Sequence, residues 1–434
     1  MSLDARERAV GDQIATRRAE LVELLQALVR YDTVARDEAN SGGDVETLQR
    51  LLGARLEGCG AEVTIEEPAA AVVAGHPFVP DGFSFAGRPQ LVARFPGAGG
   101  GRTLLLCGHV DVVSAEPTAD WSVDPFAGEL RDGAVYGRGA CDMKGGVAAM
   151  AFAAEALAQA GVKLSGDLIV NAVTEEETTG AGGLVSARTL RADAAIVPEP
   201  TALGVCNACR GSLLARITVA GRAGHAGLAA RHHSAGGAVN AIDKAAYVLD
   251  AIRRLNAEWA VRTRHPQLPP ADCVPTAIHG GEWIVSHPAS CRIECHLEYL
   301  PGQADERGGG ALVEREVEDW IAAAAAADPW LREHPPRIEW LLGGVPPAAI
   351  DAGEPIVRTL LGAHGDVRGD ARLEGFDNWH DGATLITEGG IPAVVYGPGD
   401  IRLAHAVDER VPVDELVGCA QGIAVAAMRF CGVD

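Results

Sequence analysis

The chain predicts an α/β protein carrying a smaller inserted α+β domain, and three observations support that expectation. Short apolar runs alternate with segments of helical periodicity between residues 61 and 197. Near Arg210 the pattern changes to a tight strand–helix–strand–helix–strand set, and the α/β alternation resumes from residue 344. At 434 residues the chain is also too long for one ordinary core. The expected division is residues 1–207 with 344–434 for the larger domain and 208–343 for the inserted one.

Residues 4–29 place leucine, valine and isoleucine at helical spacing between charges and predict an amphipathic helix. A helix is expected over 45–58 and a strand over 61–67. Residues 90–95 and 102–107 read as strands on either side of the glycine-rich turn 97–101. The small-residue stretch 147–160 predicts a helix, and the apolar runs Leu168–Val173 and Ala194–Val197 predict buried strands. In the inserted domain, strands are expected over 213–220, 292–300 and 337–342, with helices over 238–255 and 314–327. The chain then returns with helices near 355–363 and 383–387, a strand over 393–396 and a closing helix over 413–430.

A hydrophobic content of 47% with 22% charged residues is that of a soluble globular protein. The 37 basic against 59 acidic residues leave a net charge of -22, which argues against nucleic acid or an anionic membrane as partner. The opening residues Asp4, Arg6, Glu7 and Arg8 are charged, so no signal peptide is expected, and the apolar run 321–327 is too short to span a bilayer. Ten cysteines in so long a chain read as reduced thiols of a cytoplasmic protein. Cys206 and Cys209 form a CxxC pair, but adding Cys291 and Cys295 gives the wrong spacing for a zinc ribbon. A β-rich run follows the pair, where a thioredoxin-like site would need a helix.

Five clusters carry chemistry. His109 and Asp111 stand two residues apart at the end of an apolar strand, where both side chains can enter one site. Asp142 lies in the glycine-rich run 137–146, whose G-x-G start invites a dinucleotide reading. The Rossmann spacing fails there, and a carboxylate favours a cation over a phosphate. Glu175, Glu176 and Glu177 follow the strand Leu168–Val173, at the edge where open α/β sheets place their sites. Glu199 follows Ala194–Val197 and is held between two prolines, and His405 comes after the strand 393–396, followed by Asp408 and Glu409. Taken singly, a histidine after a strand is usually structural and a glutamate triplet usually surface. Together, four strands ending in His, Asp and Glu donors suit zinc, manganese or cobalt rather than magnesium or copper.

GHVD (108–111), GRGACDMKGG (137–146), EEE (175–177), PEPT (198–201) and HAVDERV (405–411) resemble, in this order, the motifs of the M20 metallopeptidase family. GGEW (280–283) and YLPG (299–302) are similar to its acetylornithine deacetylase-related branch. The resemblance implies a zinc-peptidase-like catalytic domain with a mixed central sheet flanked by helices, and an inserted lid or dimerisation domain. It implies two divalent metal ions, zinc first, with cobalt or manganese as alternatives. His109 and Glu199 would hold one ion, Glu177 and His405 the other, and Asp142 would bridge them. Asp111 would hydrogen-bond His109, and Glu176 would be the general base if EEE aligns with the family's usual DEE. His225 would stabilise the oxyanion from the other subunit of a homodimer, and Asn240 would touch substrate across the same interface or pack at a helix start. The implied reaction removes an N-acyl group, acetyl, formyl or similar, from an amino acid or small amine. A di- or aminopeptidase shares every catalytic residue, and an inactive binding or scaffold homologue is the reading from another class.

Three positions depart from close relatives. The segment 379–383 lacks the arginine of an aspartate–alanine–arginine motif, Glu298 precedes Tyr299-Leu300 where an arginine is common, and an asparagine is replaced within 284–286. Diaminopimelate processing is therefore disfavoured, and Trp379 with His380 suggests another leaving group.

Overall fold

The computed structural model describes residues 2–35, 43–341 and 344–434. It separates into two compact units, one formed by Met1–Ala208, Ala349–Phe376 and His380–Asp434, the other by Cys209–Ala348 with Asp377–Trp379.

The first unit is built on a mixed sheet, flanked by helices as the α/β alternation predicts. Its strands run in the order Glu62–Glu66, Gln90–Phe95, Leu168–Val173, Leu104–His109, Ala194–Val197, Ala393–Val395 and Val205–Cys209. Leu104–His109 is parallel to both of its neighbours, and Ala393–Val395 is parallel to Ala194–Val197. Gln90–Phe95 and Val205–Cys209 are antiparallel to theirs. The central strands are buried along their whole length, which is why they read as unbroken apolar runs rather than alternating ones. The helix Lys144–Gln159 is buried as far as Leu157 because its face is alanine and glycine. At its first turn it passes so close to the neighbouring loop that a Cβ on Gly146 would stand 1.9 Å from the Pro198 carbonyl oxygen. That contact brings the loop of Asp142 against the loop of Glu199.

The expected helix over 4–29 is two helices, Ala5–Thr16 and Arg18–Val29, with Arg17 outside helical geometry between them. The break turns the Arg17 side chain onto Glu155 and Glu20. A small sheet that the sequence did not predict pairs Arg410–Pro412 with Ala134–Tyr136, and the latter with Glu129–Arg131. It seats the His405 loop beside the loop that follows Tyr136.

The second unit has an antiparallel sheet in the order Asp272–Gly280, Ser290–Tyr299, Gly211–Ala220 and Arg337–Trp340. Leu213, Ala215, Ile217 and Val219 alternate inward and meet the core-facing Cys291, Ile293, Cys295 and Leu297. The helices Ala241–Arg262 and Ala311–Ala325 cover that face, with Trp259 fully buried. The strand Asp272–Gly280 escaped sequence reading because it is an edge strand, largely exposed and interrupted by Pro275. Leu342, placed at the end of the expected closing strand, lies outside the described residues. The CxxC pair sits in a strand, and none of the ten cysteines forms a disulfide. Among the described residues no helix is long and apolar enough to cross a membrane.

Candidate metal centre

Strand register builds the site. His109 pairs with Val173, Leu106 with Ile196, and Val395 with Val197, so the parallel strands end at nearly one level. The next residues of each chain segment, Glu175 to Glu177, Glu199 and the loop to His405, therefore emerge at the same sheet edge.

His109 Nε2 lies 3.1 Å from Asp142 Oδ1, 3.7 Å from Glu199 Oε1 and 4.0 Å from Glu176 Oε2. The other oxygen of Asp142 is 3.4 Å from His405 Nε2, and Glu177 Oε2 is 3.0 Å from the same nitrogen. Asp142 thus stands between two imidazoles, one per oxygen. Donor atoms of His109, Asp142 and Glu177 lie within 4.8 Å of one another, a spacing that could hold a metal ion.

Burial works against charge here, and the histidines decide which carboxylates resist it. Burial pushes the Asp142 carboxyl up, yet His109 and His405 together hold it well below the usual carboxylate range. Glu176 and Glu199 are driven well above that range, first by burial, with Glu199 adding to the push on Glu176 and Asp142 to that on Glu199. Burial alone would lower His109, but Glu199 and Asp142 outweigh it and raise the ring well above its ordinary value. Hydrogen bonds to Asp142 and Glu177 lift His405 to about 10. Glu199 Oε1 and Asp111 Oδ1 are buried without a hydrogen-bond partner. An ion buried without compensation costs several kcal/mol. A set of carboxylates and imidazole nitrogens with such an orphaned oxygen fits divalent cations of the zinc, cobalt and manganese type.

The glutamate triplet divides cleanly. Glu175 adopts a left-handed backbone, φ 70°, and its carboxylate turns to Arg88 and to Thr178 Oγ1, 2.8 Å away. Glu176 and Glu177 are left facing the histidines. Arg88 lies far away in sequence and belongs to no motif, so nothing in the chain announced it. Asp111 differs from expectation in atomic detail. His109 Nδ1 is 2.9 Å from the main-chain oxygen of Asp111, whereas the carboxylate is 3.8 Å away and its other oxygen accepts from the Glu177 N–H. A carbonyl can only accept, so Nδ1 carries a proton and Nε2 faces the carboxylates. The tautomer is set by the backbone.

Two positions serve as helix caps. Asn240 Oδ1 accepts from the Ile242 N–H at 2.9 Å, starting the helix Ala241–Arg262. His380, which the sequence offered as a leaving-group contact, is buried, caps the helix Asp381–Thr387 through Nδ1, and is held neutral by burial with its pKa lowered to about 3. Asp381 beside it is buried with neither oxygen hydrogen-bonded, and its charge adds to the push on Glu176 and Glu199. His225 lies on the second unit, exposed, with Nδ1 accepting from the Gly227 N–H at 3.0 Å. A neutral ring in that arrangement presents Nε2–H as a donor.

The profile of the peptidase family M20/M25/M40 matches residues 105–429. The chain is 27% identical to an N-formyl-4-amino-5-aminomethyl-2-methylpyrimidine deformylase of Bacillus subtilis, over 99% of both proteins. It is 35% identical to an acetylornithine deacetylase of Myxococcus xanthus, over 79% of this chain and 84% of that one. In fold it is similar to human carnosine dipeptidase 1, with a TM-score of 0.73 and 14% identity over 99% of each chain. The sheet edge, its cluster of acidic and imidazole donors and the matched profile agree: the chain belongs to the M20/M25/M40 peptidase family and is a hydrolase of amide bonds.

Proposed function

We propose that this protein is a metal-dependent amidohydrolase that removes a small N-acyl group, formyl or acetyl, from an amino acid or related small amine. The observation that carries the reading is Asp142 set between His109 and His405, with Glu176 4.0 Å from His109. Similarity to a deformylase along the whole chain supports the small acyl group.

In this reading His109 and Glu199 would hold one divalent ion and Glu177 and His405 a second, with Asp142 serving as a ligand between them. Bound cations supply Lewis acidity to the water and to the amide carbonyl, with zinc the preferred ion and cobalt or manganese also suited. Glu176 moves the proton: its carboxylate accepts one as water adds to the acyl carbon, and returns it to the amine nitrogen as the C–N bond breaks. Burial raises its affinity for that proton above that of an ordinary carboxylate. Asp111 holds His109 through its carbonyl and the Glu177 main chain through its carboxylate. His225 donates from Nε2 to the oxyanion across a homodimer formed through the second unit, and Asn240 organises that region as a helix cap. Cysteines outside any disulfide suit a cytoplasmic location.

The test is turnover of N-formyl, N-acetyl and N-succinyl amines beside dipeptides, with zinc, cobalt or manganese supplied. Hydrolysis of formyl or acetyl amines is expected. Activity confined to dipeptides overturns the deacylase reading. Mixing His225→Ala chains with Glu176→Gln chains should restore one intact site per heterodimer, and failure to restore activity removes His225 from that role.

A further inference from the structure

A second buried pair lies behind the cluster. Arg138 and Glu409 are 3% and 0% exposed and form an ion pair with each other. The free oxygen of Glu409, Oε1, accepts two main-chain N–H groups, from Cys141 at 2.9 Å and from Asp142 at 3.0 Å. The guanidinium gives two further donors to the main chain, with Nη2 to the His405 carbonyl at 3.3 Å and Nε to the Ser114 carbonyl at 3.2 Å. The plane of Arg138 also packs over the Trp121 ring, 5.2 Å from its centroid. His405 itself sits in the left-handed region at φ 60°, a backbone state that a non-glycine residue keeps only when its surroundings hold it.

We propose that Arg138 and Glu409 are positioning residues, a rigid clamp that sets the spacing between Asp142 and His405. One end of the ion pair fixes the peptide that carries Asp142, and the other fixes the carbonyl of His405. Neither side chain hydrogen-bonds the donor carboxylate or imidazole; the pair's bonds go to the main chain of Cys141, Asp142 and His405. A guanidinium suits the task because its planar fork bonds a carboxylate and a carbonyl in one fixed geometry, which a lysine cannot do. The inference rests on the reading that Asp142, Glu177 and His405 share a cation. It adds that affinity for this cation depends on the clamp more than affinity for the one beside His109 and Glu199.

The experiment measures cation content and stepwise affinity in Glu409→Gln and Arg138→Lys, using Zn2+ or Co2+ and the d–d absorption of the Co2+-loaded protein. Binding at the site of Glu177 and His405 is expected to weaken about 10–100-fold, and binding beside His109 and Glu199 to weaken less. The Co2+ spectrum should change at the weakened site, and Arg138→Lys should fall between wild type and Arg138→Ala. Glu155→Gln, an equally buried carboxylate between arginines away from the cluster, is the control and should keep both cations. Wild-type affinity at both sites in Glu409→Gln and Arg138→Ala overturns the clamp. So does equal loss at both sites that tracks the melting temperature. A wild-type chain that takes up no such cation overturns the functional reading and this inference together.

Discussion

Glu155 and Glu199 are both buried glutamates on the same unit, and they are treated in opposite ways. Glu155 accepts from Arg17, Arg55 and Gln159, so both of its oxygens are bonded. Glu199 has an oxygen without a hydrogen bond, and its ion-pair neighbour is His109. The contrast extends to the whole cluster. Among the described residues, every ion pair made by Asp142, Glu176, Glu177 and Glu199 is with a histidine. Arginines come close, but they stop at Glu175 and Glu409. A fold that places arginines so readily elsewhere leaves these four carboxylates to two histidines.

The comparison breaks most sharply by removing cations. Dialysis against a chelator should abolish turnover, and returning zinc, cobalt or manganese should restore it; turnover that survives complete stripping would mean the cluster balances itself. Glu176→Gln should cost about 10²–10⁴-fold in kcat, the typical worth of a positioned proton carrier, with cation content unchanged. If Glu175→Gln shows that loss instead, the triplet has been divided wrongly. Glu155→Gln should do the reverse, sparing kcat while lowering stability by about 2 kcal/mol in chemical denaturation, between the values of surface and fully buried pairs.

A smaller effect concerns pH. The raised pKa of His405 means that the folded chain binds that proton more tightly than the unfolded chain does. Its stabilisation is complete below pH 6.5 and is lost as the pH climbs through about 10. A cation bound at His405 would replace the proton and remove this dependence. Melting temperature should therefore fall with rising pH more steeply in stripped protein than in loaded protein, and parallel slopes would contradict the assignment of His405.

Part of the candidate site was legible because His109, the triplet Glu175 to Glu177 and Glu199 follow apolar strands whose parallel pairing brings their ends to one edge. Which glutamate of the triplet faces the histidines, and the place of Asp142 in its glycine-rich turn, could not be read from strand ends. Other features depend on backbone choices that residue identity does not encode. Adjacent side chains in the triplet part company because Glu175 takes a left-handed turn, and that turn is braced by Arg88, 87 positions away. The carboxylate of Asp111 and its carbonyl are chemically plausible partners for His109, and only geometry selects the carbonyl. The edge strand Asp272–Gly280 has no apolar signature because most of it is exposed.

His405 differs from the other donors in one further respect. Its side chain is 53% exposed, against 1% for His109 and 4% for Glu199. Solvent reaches the cluster from that side, so traffic of ions in and out should be unequal. Exchange against an isotopically labelled cation is expected in two kinetic phases, the faster from the position shared by Glu177 and His405. The faster phase would then set how long the protein keeps its activity when the surrounding supply of metal runs short.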